Sequence, residues 1–200
     1  MSHAAANLAG QGAGPTVEHV KVPLLTELLA GDSSDHCRIW VDLGRAQSGL
    51  VEKLTGGRNR LIVTDLPGAR EDADAQWHLP DKVLDKACLV EPVDCFLCWD
   101  LLNYMSLDQL GDLSHRIVRR ACAESRLHAL IQYSGTSMSQ VPGRYGLEAD
   151  GQLCFIPADA PETKTPRYSP KALEKAMPEL QVQRTMLLNN GMQEFIFGIR

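Results

Sequence analysis

CRIWVDLGRAQSGLVEKLTGGRNRLIVTDLP, residues 37–67, is the stretch that decides the fold. Two apolar runs at 38–41 and 61–63, rich in β-branched and aromatic residues, flank an amphipathic segment. This order predicts a β-strand, a helix and a second strand, which is the βαβ unit of parallel sheets. A carboxylate follows each run, Asp42 after the first and Asp65 after the second.

The carboxyl edge of this predicted sheet is the place to look for a ligand, because open parallel sheets bind ligands there. Gly44 follows the first strand and permits a sharp turn into the helix. Asp65 comes about 20 residues later, where an acidic side chain can accept hydrogen bonds from ribose hydroxyls. The pattern therefore predicts a nucleotide-type site. The alternative is that Gly44 marks only a turn and that both aspartates are solvated strand ends.

The segments DLGRAQSG, TDLP and DCFLCWDLLNY resemble the class I S-adenosylmethionine-dependent methyltransferases. The first motif of that family is an acidic residue, one spacer and three alternating glycines. Here Gly44 stands in the pattern, whereas Ala46 and Ser48 occupy the second and third glycine positions. The resemblance extends over residues 17–200 as an order of elements. It implies an α/β, Rossmann-like fold: a mostly parallel seven-stranded sheet, helices on both faces and a C-terminal antiparallel β-hairpin.

The resemblance also implies S-adenosylmethionine as the cofactor and predicts which residues contact it. These are Asp42, Gly44 and Ala46 at its methionine part, Asp65 at its ribose, and Asp100 and Leu101 on the neighbouring strand. Such a cofactor already carries the reactive sulfonium, so the protein needs mainly to align an acceptor with the methyl group.

The segment after the apolar run at 93–99 supplies the candidate residues for the methyl acceptor. Asp100 and Tyr104 are the candidate catalytic residues, because an acidic N–H or O–H acceptor needs a general base. Asn103 and Tyr104 are the candidate substrate-binding residues. The alternative is that Asn103 and Tyr104 only shape the start of a helix. We expect no metal site.

Composition and charge limit the partners of the chain. The formal net charge of −5 argues against a general affinity for nucleic acid, which depends on many Lys and Arg contacts to phosphate. No apolar run approaches the length needed to span a bilayer, and the N-terminus lacks the pattern of a secretory signal. We therefore expect a cytoplasmic protein whose methyl acceptor is a small molecule or a limited site on a protein.

The chain has six cysteines, and two of them, Cys95 and Cys98, form a C-x-x-C motif. The pair lies inside a predicted strand, where an offset of three residues places the side chains on opposite faces. No second pair of ligands accompanies it. The pattern therefore predicts buried thiols rather than a redox pair or a zinc site.

The remaining segments predict the domain organisation. Residues 1–15 predict a flexible tail, and residues 16–200 predict a single methyltransferase-like domain. A helix is predicted over 17–30, a third strand over 76–79 and a short helix over 81–89. An insertion at 135–167 contains two strand-like runs around an Asp-Gly pair, which predicts a hairpin that covers the site.

Two classes of function stay open from the sequence. The first is a methyltransferase. The second is a catalytically inactive, methyltransferase-like binding or scaffold protein, because the first loop lacks two of the family's glycines and Arg45 and Gln47 could close the sheet edge. An open cleft between Gly44, Asp65 and Asp100 would favour the enzyme, whereas a cleft filled by the protein's own side chains would favour the scaffold.

Overall fold

The computed structural model describes residues 17–31, 37–45, 48–55, 58–71, 84, 91–148 and 150–200. The α-helices are α1 (Pro23–Ala30), α2 (Ser48–Thr55), α3 (Leu66–Glu71), α4 (Leu107–Val118) and α5 (Pro170–Ala176), and a 3₁₀ helix spans Leu101–Tyr104. The strands are β1 (Glu18–Val20), β2 (Arg38–Asp42), β3 (Asn59–Val63), β4 (Val93–Leu97), β5 (Ala121–Gln132), β6 (Ser137–Ser139), β7 (Arg144–Leu147), β8 (Leu153–Ile156), β9 (Glu162–Lys164), β10 (Leu180–Leu187) and β11 (Met192–Ile199). In the described part of the chain, no helix is long and apolar enough to cross a bilayer.

A mixed central sheet organises the chain in the order β10-β11-β5-β4-β2-β3. The pairs β3–β2, β2–β4 and β4–β5 are parallel, whereas β11 runs antiparallel to both β5 and β10. The described residues thus give this sheet six strands instead of the predicted seven. The predicted strand at 76–79, the predicted helix at 81–89 except Leu84, and the predicted tail at 1–15 lie outside the described residues.

Both faces of the central strands are buried, as parallel strands require. One face packs against α4 and α5, and the other lies under α1, α2 and the strands β7 and β8. Cys98 belongs to the first core and Cys95 to the second, which confirms that the pair lies on opposite faces. Burial raises the pKa of the Cys95 thiol to about 11 and that of Cys98 further still, so both thiols are inert.

The N-terminal segment differs from the single helix predicted over 17–30. Glu18–Val20 forms β1, which pairs antiparallel with β8, and the helix begins only at Pro23. Proline suits the first helical position because its missing N–H would have no partner there. Val20 therefore belongs to a strand whose partner lies far away in the sequence, and Val22 caps the helix.

A buried carboxylate from the sheet holds α1 in place. Glu194 on β11 accepts hydrogen bonds from the backbone N–H groups of Leu24 at 3.0 Å and Leu25 at 2.8 Å. The same carboxylate lies 3.0 Å from Nε2 of His128 on β5, and both side chains are 0% exposed. The negative charge also suits the positive end of the helix dipole.

Two small sheets formed largely by residues 135–167 lie outside the central sheet. In the first, the order is β1-β8-β7, and β7 and β8 pair antiparallel around Gly151, whose φ of +83° is a left-handed value that favours glycine. In the second, β6 and β9 form a two-stranded ribbon. Helix α2 contacts β7 closely enough that a Cβ at Gly49 would collide with the Leu147 carbonyl oxygen.

Replacing Glu194 with alanine should strongly destabilise the protein. Two backbone donors of α1 and the His128 ring would lose their partner inside the core, so we expect the free energy of unfolding to fall by about 3 kcal/mol. Urea denaturation checks this value. The control is Glu27→Ala, because Glu27 pairs with Arg184 at the surface, where ion pairs contribute little. Equal stability losses in the two variants would contradict the role assigned to Glu194.

Candidate cofactor and substrate site

The ends of three neighbouring strands meet at the carboxyl edge of the central sheet. The ladder continues past the strands, because Leu43 N–H donates to the Leu97 carbonyl at 3.0 Å and Leu66 N–H donates to the Leu43 carbonyl at 3.0 Å. Asp42, Asp65 and Asp100, which each follow or end one of these strands, therefore lie along the same edge. The parallel pairing of β3, β2 and β4 produces this arrangement.

Asp42 is the most enclosed of the three acids, with 0% exposure. Its Oδ1 accepts hydrogen bonds from Gly44 N–H at 2.8 Å and from the Trp99 indole Nε1–H at 2.6 Å. Its Oδ2 is buried without a hydrogen-bond partner. Burial raises the pKa of Asp42 to about 6, and the bonds from Trp99 and Gly44 oppose this shift.

Trp99 lies beside Gly44 at this edge of the sheet. A Cβ built on Gly44 would lie 2.6 Å from Cδ1 of Trp99, so the indole needs the glycine. The Trp99 ring stacks on Tyr145 with centroids 5.4 Å apart, and Tyr145 stacks on Phe155 at 4.8 Å. The φ of Trp99 is +49°, a strained value for a bulky residue. The protein's own aromatic side chains thus fill the space beside Gly44.

Asp100 is buried next to this aromatic stack, with 4% exposure. Burial raises its pKa to about 7, while the nearby hydroxyls of Tyr145 and Tyr104 oppose the shift. Tyr104 donates to Oδ2 at the long distance of 3.4 Å. Oδ1 of Asp100 and the Tyr145 hydroxyl both lack a partner of good hydrogen-bond geometry.

Asp65 is the accessible acid of the three, with its side chain 50% exposed. It lies two residues beyond β3, and its φ is +46°, a left-handed value that aspartate tolerates better than most residues. Its Oδ1 accepts from Gly68 N–H at 2.9 Å and lies 3.5 Å from Nε of Arg45. Arg45 therefore lies along the edge next to Asp65 instead of covering Gly44.

Three of the other predicted site residues have definite places in this structure. Asn103 is 5% exposed and its amide is engaged: Nδ2 donates to the carbonyls of Asp100 at 2.8 Å and Leu130 at 2.9 Å, and Oδ1 accepts from Gln132 N–H at 2.8 Å. Leu101 is 1% exposed and belongs to the core. Tyr104 is half-buried. Ala46 and Gln47 lie outside the described residues.

A cavity of about 380 Å³ opens beside Tyr104, between the 3₁₀ helix and the β6–β9 ribbon. Its lining consists of Asn103, Tyr104, Met105, Ser106, Met138, Gln140, Thr163, Lys164, Pro166 and Tyr168. This volume falls in the lower part of the range of small-molecule sites. Within the described ranges, no group of three or more His, Cys, Asp or Glu residues could hold a metal ion.

Sequence reasoning missed Trp99, Tyr145 and the far side of the cavity. Trp99 was expected only as the last residue of a buried strand, and its positive φ has no sequence signal. The stack with Tyr145 and the approach of Lys164 depend on where the insertion folds back. A local pattern does not encode such long-range contacts, although the Asp-Gly pair at 150–151 marks the hairpin turn.

Comparison with known proteins supports the fold but gives no close relative. No protein-family model matches this sequence, and no curated protein matches it. The Burkholderia thailandensis 1,6-didemethyltoxoflavin-N1-methyltransferase, with bound 1,6-didemethyltoxoflavin and S-adenosylhomocysteine, matches with a TM-score of 0.50 and 14% identity, over 88% of this chain and 75% of that chain. The pyocyanin biosynthetic protein PhzM matches with a TM-score of 0.50 and 10% identity, over 88% of this chain and 54% of that chain.

The chain thus spans about half the length, 54%, of the pyocyanin biosynthetic protein. An S-adenosylmethionine-dependent methyltransferase from Clostridium acetobutylicum ATCC 824 matches with a TM-score of 0.49 and 12% identity, over 82% of this chain and 84% of that chain. Together with the strand order of the central sheet, the two matches at a TM-score of 0.50 establish the architecture. The chain has a class I methyltransferase-like fold.

The two buried acids predict an unusual pH dependence of stability. Their pKa values are raised from 3.8 to about 6 for Asp42 and about 7 for Asp100, so the folded protein binds these protons more tightly than the unfolded chain does. Their contribution to stability is therefore lost as pH rises from about 4 through 7. The side chain of the Asp100→Asn variant cannot ionise. The free energy of unfolding of this variant, relative to that of wild type, should therefore rise by about 2 kcal/mol from pH 5 to pH 8.

Urea denaturation of wild type and Asp100→Asn at pH 5, 6, 7 and 8 measures this difference. Asp112→Asn, an exposed substitution on α4, is the control and should follow wild type throughout. If the difference between Asp100→Asn and wild type does not change with pH, then Asp100 does not titrate in this window.

Proposed function

We propose that the chain is an S-adenosylmethionine-dependent methyltransferase that acts on a small molecule. The observation that carries this proposal is the pair of buried acids, Asp42 and Asp100, at the ends of the neighbouring strands β2 and β4. Oδ2 of Asp42 is buried without a hydrogen-bond partner, and Oδ1 of Asp100 has no partner of good geometry, although the Tyr145 hydroxyl is nearby. A buried polar atom without a partner costs free energy, and a ligand that brings donors to this edge removes the cost.

The donor set at this edge suits the cofactor in its chemistry. Asp42 can face a positively charged amino group, and the half-exposed Asp65 can accept hydrogen bonds from ribose hydroxyls. Gly44 has no side chain, so the cofactor can approach the backbone of the first loop closely at this position. Ala46 and Leu101 are also proposed to contact the cofactor. When bound, the cofactor supplies an electrophilic methyl group.

The space beside Gly44 sets a condition on cofactor binding, because the Trp99 indole lies there. We infer that this ring leaves Asp42 when the cofactor binds. The hydrogen bond to Asp42, the stack on Tyr145, the edge contact with His128 and burial in the core hold the ring, while the positive φ of Trp99 works against its present position. The indole N–H would thus act as a substitute donor for Asp42 in the free protein.

Asp100 and Tyr104 are proposed to take up the proton of the methyl acceptor. A general base works best when its pKa lies near the working pH, and the pKa of Asp100 is about 7. The Tyr104 hydroxyl lies between Asp100 and the cavity. The proton of an acceptor O–H would pass to the Tyr104 oxygen while Tyr104's own proton passes to Asp100, which later releases it to water.

A small molecule is a better acceptor than a protein site because of the cavity next to Tyr104. Its volume of about 380 Å³ suits a compact ligand, and its walls come from three separate parts of the chain. The solved methyltransferase with bound 1,6-didemethyltoxoflavin is an example of this fold with a small-molecule ligand. Asn103 would support the cavity by holding the post-β4 turn against β5.

The second candidate function is a binding or scaffold protein that has lost the cofactor. The observation that favours it is the aromatic filling beside Gly44, made by Trp99 and Tyr145. The two candidates differ in one respect that can be measured. In the enzyme, the free energy gained on cofactor binding must exceed the free energy needed to move Trp99. In the scaffold protein, the ring stays in place.

Calorimetry with S-adenosylmethionine and S-adenosylhomocysteine tests the enzyme directly. We expect both compounds to bind, and we expect Asp65→Ala to weaken binding by about 10-fold or more, since a hydrogen bond to a charged group is lost. Asp112→Ala is the matched control, because it removes an exposed aspartate on α4. If folded wild-type protein binds neither compound, the scaffold is the correct function.

Tryptophan fluorescence tests the movement of Trp99. Cofactor binding should change the emission of wild type, because Trp99 leaves Asp42 and Tyr145. Trp99→Phe keeps an aromatic ring but has no N–H for Asp42, so the cofactor should bind it about 10-fold more tightly.

The matched control is Trp40→Phe, because Trp40 is also buried but donates to Asn59 at 3.2 Å. This variant should keep both the emission change and the wild-type affinity. An unchanged dissociation constant in Trp99→Phe, with no emission change in wild type, would show that Trp99 does not move.

A further inference from the structure

The cavity beside the β6–β9 ribbon has a mixed polar and apolar lining that includes both buried and exposed residues. Met105 and Asn103 are buried at 2% and 5% exposure, whereas Gln140 and Lys164 are exposed. A ligand would therefore be buried at one end and reach solvent at the other. Such a cavity suits a molecule with an apolar body and one charged group.

The walls offer carbon and sulfur surface to a flat ring. Met105, Met138 and Pro166 have no polar hydrogen to satisfy, and the Tyr168 hydroxyl already donates to the Met105 carbonyl at 2.5 Å. The Asn103 amide is also engaged within the protein. Methionine sulfur and aromatic rings make favourable contacts with other aromatic rings.

The charge of the lining selects against cations and for anions. Among the described residues of the lining, Lys164 is the one lysine or arginine, and none is an aspartate or glutamate. Lys164 lies on β9, whose pairing with β6 places it opposite Ser137. A carboxylate on the ligand would form a charge-assisted hydrogen bond with this ammonium group.

Tyr104 provides a second polar group in the cavity lining. The Tyr104 hydroxyl has long hydrogen bonds, 3.3 Å to the Val141 carbonyl and 3.4 Å to Asp100. It can exchange one of them for a shorter bond to a ligand hydroxyl or amino group. The cavity lining thus combines the polar groups of Lys164 and Tyr104 with the apolar side chains of Met105, Met138 and Pro166.

We propose that this cavity binds a small aromatic acid that carries a second hydroxyl or amino group. The carboxylate binds Lys164, the ring lies between the methionines, and the second group faces Tyr104. The role of this acid as the methyl acceptor rests on the methyltransferase function proposed above. Binding of the acid itself needs only the cavity.

Ligand titrations followed by NMR, without cofactor, test the cavity. The probes are 4-hydroxybenzoate and its neutral analogue 4-hydroxybenzyl alcohol. We expect the acid to bind wild type at least about 10-fold more tightly than the alcohol, because only the acid has a charge for Lys164. Lys164→Met should abolish this preference, whereas Lys171→Met, a change at an exposed lysine on α5, should preserve it. Met138→Trp should fill the cavity and weaken both probes, with circular dichroism as the check on folding.

Two results would overturn the proposal. One is equal binding of acid and alcohol to wild type, and the other is an unchanged preference in Lys164→Met. The outcome is separable from that of the cofactor calorimetry. Acid binding without cofactor binding keeps the cavity and removes the methyltransferase, whereas cofactor binding without acid binding removes only this proposal.

Discussion

The hydrogen bond from the Trp99 indole to the buried Asp42 carboxylate is the constraint on which the carboxyl edge depends. It ties the end of β2 to the end of β4 at 2.6 Å and brings the Trp99 ring against Gly44. Tyr145 and Phe155 stack outward from that ring, so the inserted strands β7 and β8 rest on it. A carboxylate that is buried this deeply needs a hydrogen-bond donor, because burying it without one costs free energy.

Glu194 has a similar function on the same face of the sheet, where it holds α1. Its carboxylate replaces the missing partners of two N–H groups at the start of α1 and contacts His128 on the adjacent strand. His128 in turn lies edge-on to Trp99, with ring centroids 6.1 Å apart. The two buried acids, Asp42 on β2 and Glu194 on β11, therefore connect the N-terminal helix, the central sheet and the insertion, and each accepts hydrogen bonds from distant parts of the chain.

Local patterns predicted the features that depend on a few adjacent residues. The strand-end acids Asp42 and Asp100 follow from the apolar runs before them, and the Asp-Gly pair marks the turn between β7 and β8. The sequence did not reveal β1, because a three-residue strand is defined by its partner β8. Trp99, Tyr145, Glu194 and the cavity were missed for the same reason, since their surroundings come from residues far apart in the chain.

The glycines of the first loop explain why its sequence departs from the family's pattern. In a cofactor site, small residues let the backbone approach the ligand closely. Here Gly44 gives room to the Trp99 ring, and Gly49 gives room to the Leu147 carbonyl of β7. Both glycines therefore serve contacts within the protein in the closed arrangement. In the methyltransferase proposed above, a cofactor at this edge would replace the contact at Gly44, and its affinity would be reduced by the free energy of moving Trp99. In that proposal, the buried indole and the cofactor are alternative occupants of the space beside Gly44.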